Sequence, residues 1–178
     1  RLLASFHDSA PGIRLTLRQA HGAELVRGLH EGELDVAVVI PPPVDLPTVP
    51  LGRQPLRLYA ARGHRLAHRK RVALGELAEE TFIANPPSYN LRKLLQSWCT
   101  EAGFTPRVAY EITEFDTLLA LVAHDLGIAV LPDPEVPRSD VTGIALTGGD
   151  YSRGIALART PTPLTPASEP SGLRWNRM

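Results

Sequence analysis

Strand-period and helix-period hydrophobicity alternate along this chain, and that alternation leaves few architectures open. Ile13, Leu15 and Leu17 alternate with Arg14, Thr16 and Arg18, the two-residue period of a half-buried strand. After the polar turn His21-Gly22, residues Leu25, Val26 and Leu29 share one helical face, and Gly32 is a natural stop. Val36-Ala37-Val38-Val39-Ile40 follows without polar interruption, as in a strand covered on both faces. Strand, helix and buried strand in this order predict a right-handed βαβ unit with parallel pairing.

Pro41-Pro42-Pro43 ends that run, because proline cannot donate to a ladder, and Leu56, Leu58 and Ala60 begin another alternating strand. A second block contains a strand at Phe82-Ile83-Ala84, the loop 85–90 and a helix over 91–102. There Leu91, Leu94, Leu95, Trp98, Cys99 and Ala102 fall at i, i+3, i+4, i+7, i+8 and i+11, with Arg92, Lys93, Gln96 and Glu101 opposite. Strand 108–112, turn 113–115, helix 116–126 and strand 128–131 make another βαβ unit, with Gly103 and Gly127 as stops. Further strands are expected at 141–146 and 155–158. Four prolines between 161 and 170 predict an irregular tail, and 173–178 are left unassigned. Each block is near the size at which one core is marginal, so the two are expected to pack around a shared cleft.

Composition excludes several classes. Nineteen basic and nineteen acidic residues cancel, so no overall field draws the chain to nucleic acid or an anionic membrane. No apolar run reaches the roughly 18 residues that span a bilayer, and the N-terminus lacks the pattern of a secretion signal. A soluble, cytoplasmic protein is expected. The single cysteine, Cys99, rules out an internal disulfide and falls in an apolar helical stripe, so it reads as core.

Sequence motifs for catalysis are missing: there is no G-x-S-x-G elbow, phosphate-binding loop, G-x-G-x-x-G turn or H-E-x-x-H helix. His64 and His68 are four residues apart but have no third ligand and sit in the basic stretch Arg62 to Arg71. That stretch reads as a solvated loop, and neither metal nor cofactor is expected.

In parallel α/β sheets, ligands bind at the carboxyl ends of strands beside helix N-termini. Three such turns are readable: His21-Gly22, residues 85–90 and Thr113-Glu114-Phe115. Ser88 or Asn90, and Asp116, could equally be simple N-caps.

The order of residues resembles the effector-binding domain of LysR-type transcriptional regulators. The matching stretches are Pro11-Gly-Ile-Arg-Leu-Thr-Leu17, Leu25-x-x-Gly-Leu-x-x-Gly-Glu-Leu-Asp-Val-Ala-Val-Val39, Leu56-x-Leu-Tyr-Ala-Ala-x-Gly-His-x-Leu-Ala67 and Leu121-Val-Ala-x-Asp-Leu-Gly-Ile-Ala-Val-Leu-Pro132. The resemblance implies an α/β, two-lobed type 2 periplasmic-binding-protein-like fold, with lobe I formed by residues 1–57 plus 154–178 and lobe II by 58–153. It implies a small-molecule effector bound by His21, Gly22, Ile40, Pro41, Asn85, Ser88, Tyr89, Thr113, Glu114 and Phe115. Where many members place a hydroxyl this chain has Gly22, so a carboxylate effector would depend on backbone N–H groups there. The resemblance implies that members usually open with a strand and polar turn before their first helix, whereas this chain opens at Arg1 to Phe6, expected to lie inside that helix.

The resemblance also implies a homodimer or homotetramer, paired through the helix near Phe6 and the helix over 91–102, with DNA reached only through an upstream winged helix-turn-helix absent from this sequence. The expected function is sensing, without catalysis. Two other readings stay open: an exported solute-binding protein of a transport system, and an enzyme on the same fold using Glu114 or Asp116 as base.

Overall fold

The computed structural model describes residues 2–161. Helices α1 (Leu2–Ser9) and α2 (Gly22–His30) lead into strands β1 (Val36–Val39), β2 (Thr48–Ala61) and β3 (Arg71–Ala73). A short 3-10 turn (Leu74–Leu77), strand β4 (Thr81–Ala84), helix α3 (Asn90–Glu101), strand β5 (Arg107–Glu111) and helix α4 (Phe115–Ala123) follow. Strands β6 (Ala129–Pro132), β7 (Val141–Thr147) and β8 (Ser152–Arg159) complete the described chain.

The spine is β2, whose two halves have different neighbours. Residues 48–55 pair antiparallel with β8, whereas residues 56–61 pair antiparallel with β6 on one side and β7 on the other. Pro50 and Pro55 are tolerated because the first half is bonded along one edge alone. The register breaks between Pro50 and Gly52, where φ is 149° at Gly52, a backbone conformation that a side chain rarely adopts. Beyond β8 lies β1, also antiparallel, giving the order β1-β8-β2-β7-β3 with β6 attached to β2. Strands β4 and β5 pair parallel, and a parallel bridge from Phe82 to Ile128 sets β4 beside β6. That approach needs Gly127: a Cβ there would lie 2.7 Å from the Thr81 carbonyl oxygen.

Two clusters of buried side chains result among the described residues. The larger joins Leu58, Phe82, Ile83, Leu118, Leu119, Ile128 and Ile144 with Leu91, Leu95 and Cys99 of α3. The smaller consists of Leu29, Ala37, Val39, Leu46 and Ala158, where α2 covers one face of β1 and β8.

The second block matches its sequence pattern closely, and its β4–β5 pairing is parallel as expected. Cys99 is fully buried in the core, and burial pushes its thiol up to about 12. Three expectations for the first block are corrected. Residues Ile13 to Leu17 form no strand; Ile13, Leu15 and Leu17 are 42%, 48% and 80% exposed, because no strand among the described residues pairs with them. The pairing there is antiparallel, since β8 arrives from far along the chain and inserts between β1 and β2. Strand β1 is buried on one face, with Val36 and Val38 more than half exposed.

Arg92 is a fourth correction. It does not lie on the solvent face of α3 but is 8% exposed. The sequence expectations for 162–178, including the tail and the end of lobe I, lie outside the described residues.

Candidate functional site

Each of the three turns singled out above leads into a helix with an uncapped start. His21, Tyr89 and Glu114 occupy the N-cap positions of α2, α3 and α4, in extended conformation and without a side-chain hydrogen bond to the first turn. Ser88, Asn90 and Asp116 therefore do not act as caps. First-turn N–H groups left without such partners form electropositive ends that favour anions.

The turns are linked to one another in space. The His21 ring meets the Tyr89 ring edge-on, with centroids 5.2 Å apart and planes at 79°, so α2 and α3 touch at their starts. Gly22 lies against the end of β1: a Cβ on it would sit 3.6 Å from the Ile40 carbonyl oxygen. The Ile40–Pro41 peptide is cis. Pro42 in turn packs on β8, where a Cβ on Gly154 would fall 3.2 Å from its ring. The neighbouring Arg153 places its guanidinium carbon 5.8 Å from the centroid of Phe115, at the start of α4.

The circuit closes through Asn85. Only 2% exposed, it donates from Nδ2 to the carbonyl oxygens of Ile112 (2.9 Å) and Thr113 (3.2 Å), tying the end of β4 to the end of β5. Arg92 reinforces the tie by donating from Nη1 to the Asn85 carbonyl (3.1 Å) and to Glu111 Oε1 (3.0 Å). Asn85 and Arg92 also line a cavity of about 10 Å³, and Asn85 Oδ1 and Arg92 Nε have no hydrogen-bond partner among the described residues. Ser88, Thr113 and Glu114 are exposed on their turns.

Of the ten residues expected at the site, contacts or chain adjacency connect His21, Gly22, Ile40, Pro41, Asn85, Tyr89, Thr113 and Phe115. Ser88 and Glu114 take part only as turn residues. Arg92, Glu111, Gln54 and Arg153 escaped the sequence reading. Arg92 falls one place beside the apolar stripe of α3, a position that spacing alone assigns to solvent. Gln54 and Arg153 meet only through β2–β8 pairing and carry no local signal.

A larger hollow, about 370 Å³, lies elsewhere and is lined by Arg57, Tyr59, Asp133, Pro137, Arg138 and Gly143 among others. Its charges are already matched: Arg57 pairs with Asp133 at 3.1 Å and Arg138 with Asp140 at 2.5 Å. The Tyr59 hydroxyl donates to Asp133 at 2.6 Å, and burial together with that carboxylate raises its pKa. None of the ten expected residues borders this hollow. Among the described residues no cluster of His, Cys, Asp or Glu could hold a metal ion, and no helix is long and apolar enough to cross a membrane.

A family model described as the LysR substrate binding domain matches residues 1–169. The chain belongs to that family. Its fold is accordingly the type 2 periplasmic-binding-protein-like α/β fold. It is 31% identical over 160 residues to the uncharacterized HTH-type transcriptional regulator YybE of Bacillus subtilis, a match covering 88% of this chain and 55% of that protein. It is 28% identical over 166 residues to the DNA-binding transcriptional dual regulator OxyR of Escherichia coli, covering 90% of this chain and 54% of that one. The chain thus spans about half the length of these relatives. Among solved structures, the C-terminal domain of a probable LysR family transcriptional regulator from Rhodococcus sp. RHA1 superposes with a TM-score of 0.81. The two are 29% identical, with 93% of this chain and 85% of that one covered.

Proposed function

We propose that this chain is the effector-sensing domain of a LysR-type DNA-binding transcriptional regulator, acting in the cytoplasm as a homodimer or homotetramer. The observation that carries the reading is the convergence of three uncapped helix starts, drawn from both halves of the molecule, onto one linked set of turns. In this reading residues 1–57 plus 154–178 form one lobe and 58–153 the other. The change of partners along β2 near residues 55 and 56 supports that division. A solute held between the turns favours one lobe arrangement over another, and the difference in its affinity for the two shifts the geometry of the oligomer on DNA. DNA contact falls to the part of such regulators that lies outside this chain. In this reading the domain binds its solute without turnover.

The test is a thermal-shift screen of small carboxylates, aromatic acids and amino acids against the wild-type chain and Thr113→Ala. A solute that raises the melting midpoint of the wild type and binds Thr113→Ala about tenfold more weakly is the expected result. A solute whose binding ignores changes at His21, Ser88 and Thr113 alike would place the pocket elsewhere.

A further inference from the structure

Arginines next to this site and around the larger hollow have counter-ions. Arg92 is paired with Glu111, Arg57 with Asp133, Arg138 with Asp140 and Arg53 with Asp150. Arg153 is different. Its Nε–H donates to Gln54 Oε1 at 2.8 Å, a neutral acceptor on the adjoining strand, and its guanidinium lies over the Phe115 ring. No carboxylate pairs with it among the described residues, and Glu114 and Asp116, which flank Phe115, are exposed. Burial pulls its pKa below the ordinary arginine value, with no neighbouring charge to restore it. Keeping a cation partly out of water without a partner costs stability. A residue held so is prepared for a charge that arrives from outside.

Its position says where that charge would sit. Arg153 is anchored between two walls: Gly154 abuts Pro42, just after Ile40–Pro41, while Phe115 opens α4 with its uncapped N–H groups. Gln54 fixes Nε, which leaves the terminal nitrogens Nη1 and Nη2 as the free edge of the fork.

We propose that Arg153 is the anion receptor of the effector site, binding the carboxylate of a small organic acid through Nη1 and Nη2, with Gln54 and Phe115 holding the guanidinium in place. The proposal rests on the effector-site reading above and narrows it to acids. An end-on guanidinium–carboxylate pair supplies two charge-assisted hydrogen bonds, and the adjacent helix start adds a positive potential of the same sense.

The experiment compares benzoate, succinate and pyruvate, each beside its uncharged amide, by thermal shift and calorimetry. The proteins are the wild-type chain, Arg153→Gln, Arg153→Lys and the distant control Arg159→Gln. At least one acid should bind the wild type and Arg159→Gln alike, its amide should not, and Arg153→Gln should weaken it by about tenfold or more. Arg153→Lys should recover part of the loss, as it keeps the charge without the fork. Without ligand, Arg153→Gln should melt no lower than the wild type, because it removes an unpaired, desolvated charge. A purely structural arginine would lower that midpoint, and such a drop overturns the proposal. So does equal acid binding by Arg153→Gln, or the absence of any acid-dependent shift in the wild type. If acid and amide bind equally and Thr113→Ala weakens both, the effector site stands and the anion role falls. If acids bind through Arg153 while changes at His21, Ser88 and Thr113 have no effect, the reverse holds.

Discussion

The two halves of this molecule are built to different standards. Among the described residues the larger cluster gathers twenty-three buried side chains, from β2, β3, β4, β6, β7, α3, α4, the 3-10 turn and the connections at Leu66 and Ile128, and it surrounds Phe82, Leu118 and Ile128 completely. The smaller has five, under a single helix, while Val36 and Val38 of β1 and Val49 and Leu51 in the first half of β2 stay more than half exposed. The candidate site therefore has one braced wall and one thin wall. On the braced side Asn85, Arg92 and Glu111 lock the ends of β4 and β5 together. On the thin side the start of α2 and the end of β1 rest on one sparse layer. A solute closing on such a site meets its lower resistance at His21, Gly22 and Pro41, where few buried contacts oppose movement.

Truncation in the large cluster is the strongest way to break this contrast. Leu118→Ala should cost about 3–5 kcal/mol, since the residue is fully enclosed and its surroundings cannot collapse around the cavity. Urea unfolding reads that loss directly. Leu29→Ala, in the small cluster, should cost about 2–3 kcal/mol, because fewer neighbours surround the gap. Its effect should appear as faster amide exchange in α2 and β1 with β6 and β7 still protected. Cys99 sharpens the distinction. With its pKa raised to about 12 it should resist alkylation at pH 8 in the wild type and in Leu29→Ala, and become reactive in Leu118→Ala at urea concentrations the wild type withstands.

Arg92→Leu comes next, at about 1–3 kcal/mol, from the lost bonds to the Asn85 carbonyl and to Glu111. It should also loosen the turn at Thr113, so any solute found in the thermal-shift screen should bind it more weakly. The smallest effect belongs to the surface pair Arg69–Glu76. Hydrogen bonds from the Arg69 guanidinium and then from the Ala73 N–H hold the Glu76 carboxyl below its ordinary value of 4.5. The folded form therefore binds that proton less readily than the unfolded chain. The resulting stability is present above the ordinary value and fades as pH falls through the depressed one. Full exposure to solvent keeps it small, and Arg69→Ala should flatten the acid limb of the melting-midpoint profile only slightly.

How legible each half was in the sequence follows the same division. The helix expected over 91–102 is found at Asn90–Glu101, and strands 82–84 and 108–112 lie within one residue of β4 and β5. Those elements are specified by local spacing and pair with near neighbours. The first half depends on β8, which returns across about a hundred residues to lie between β1 and β2, and no local pattern announces that insertion. Residues 48–55 were unreadable as strand because Pro50 and Pro55 signal a loop, until β8 supplies a partner along one edge. The alternation of Ile13, Leu15 and Leu17 has the period of a strand, but no strand forms there because that local spacing cannot supply a neighbour. At the site, the turns were visible because strand-to-helix junctions are local. Gln54 and Arg153 were hidden because their bond joins residues 99 positions apart.

The second half of β2 enters the larger cluster, and its first half lies beside β8, which supplies Ala158 to the smaller one. The two clusters are thus tied by hydrogen bonds as well as by the chain itself, so the halves cannot be cut apart at this β2–β8 ribbon and each still keep its strand partners.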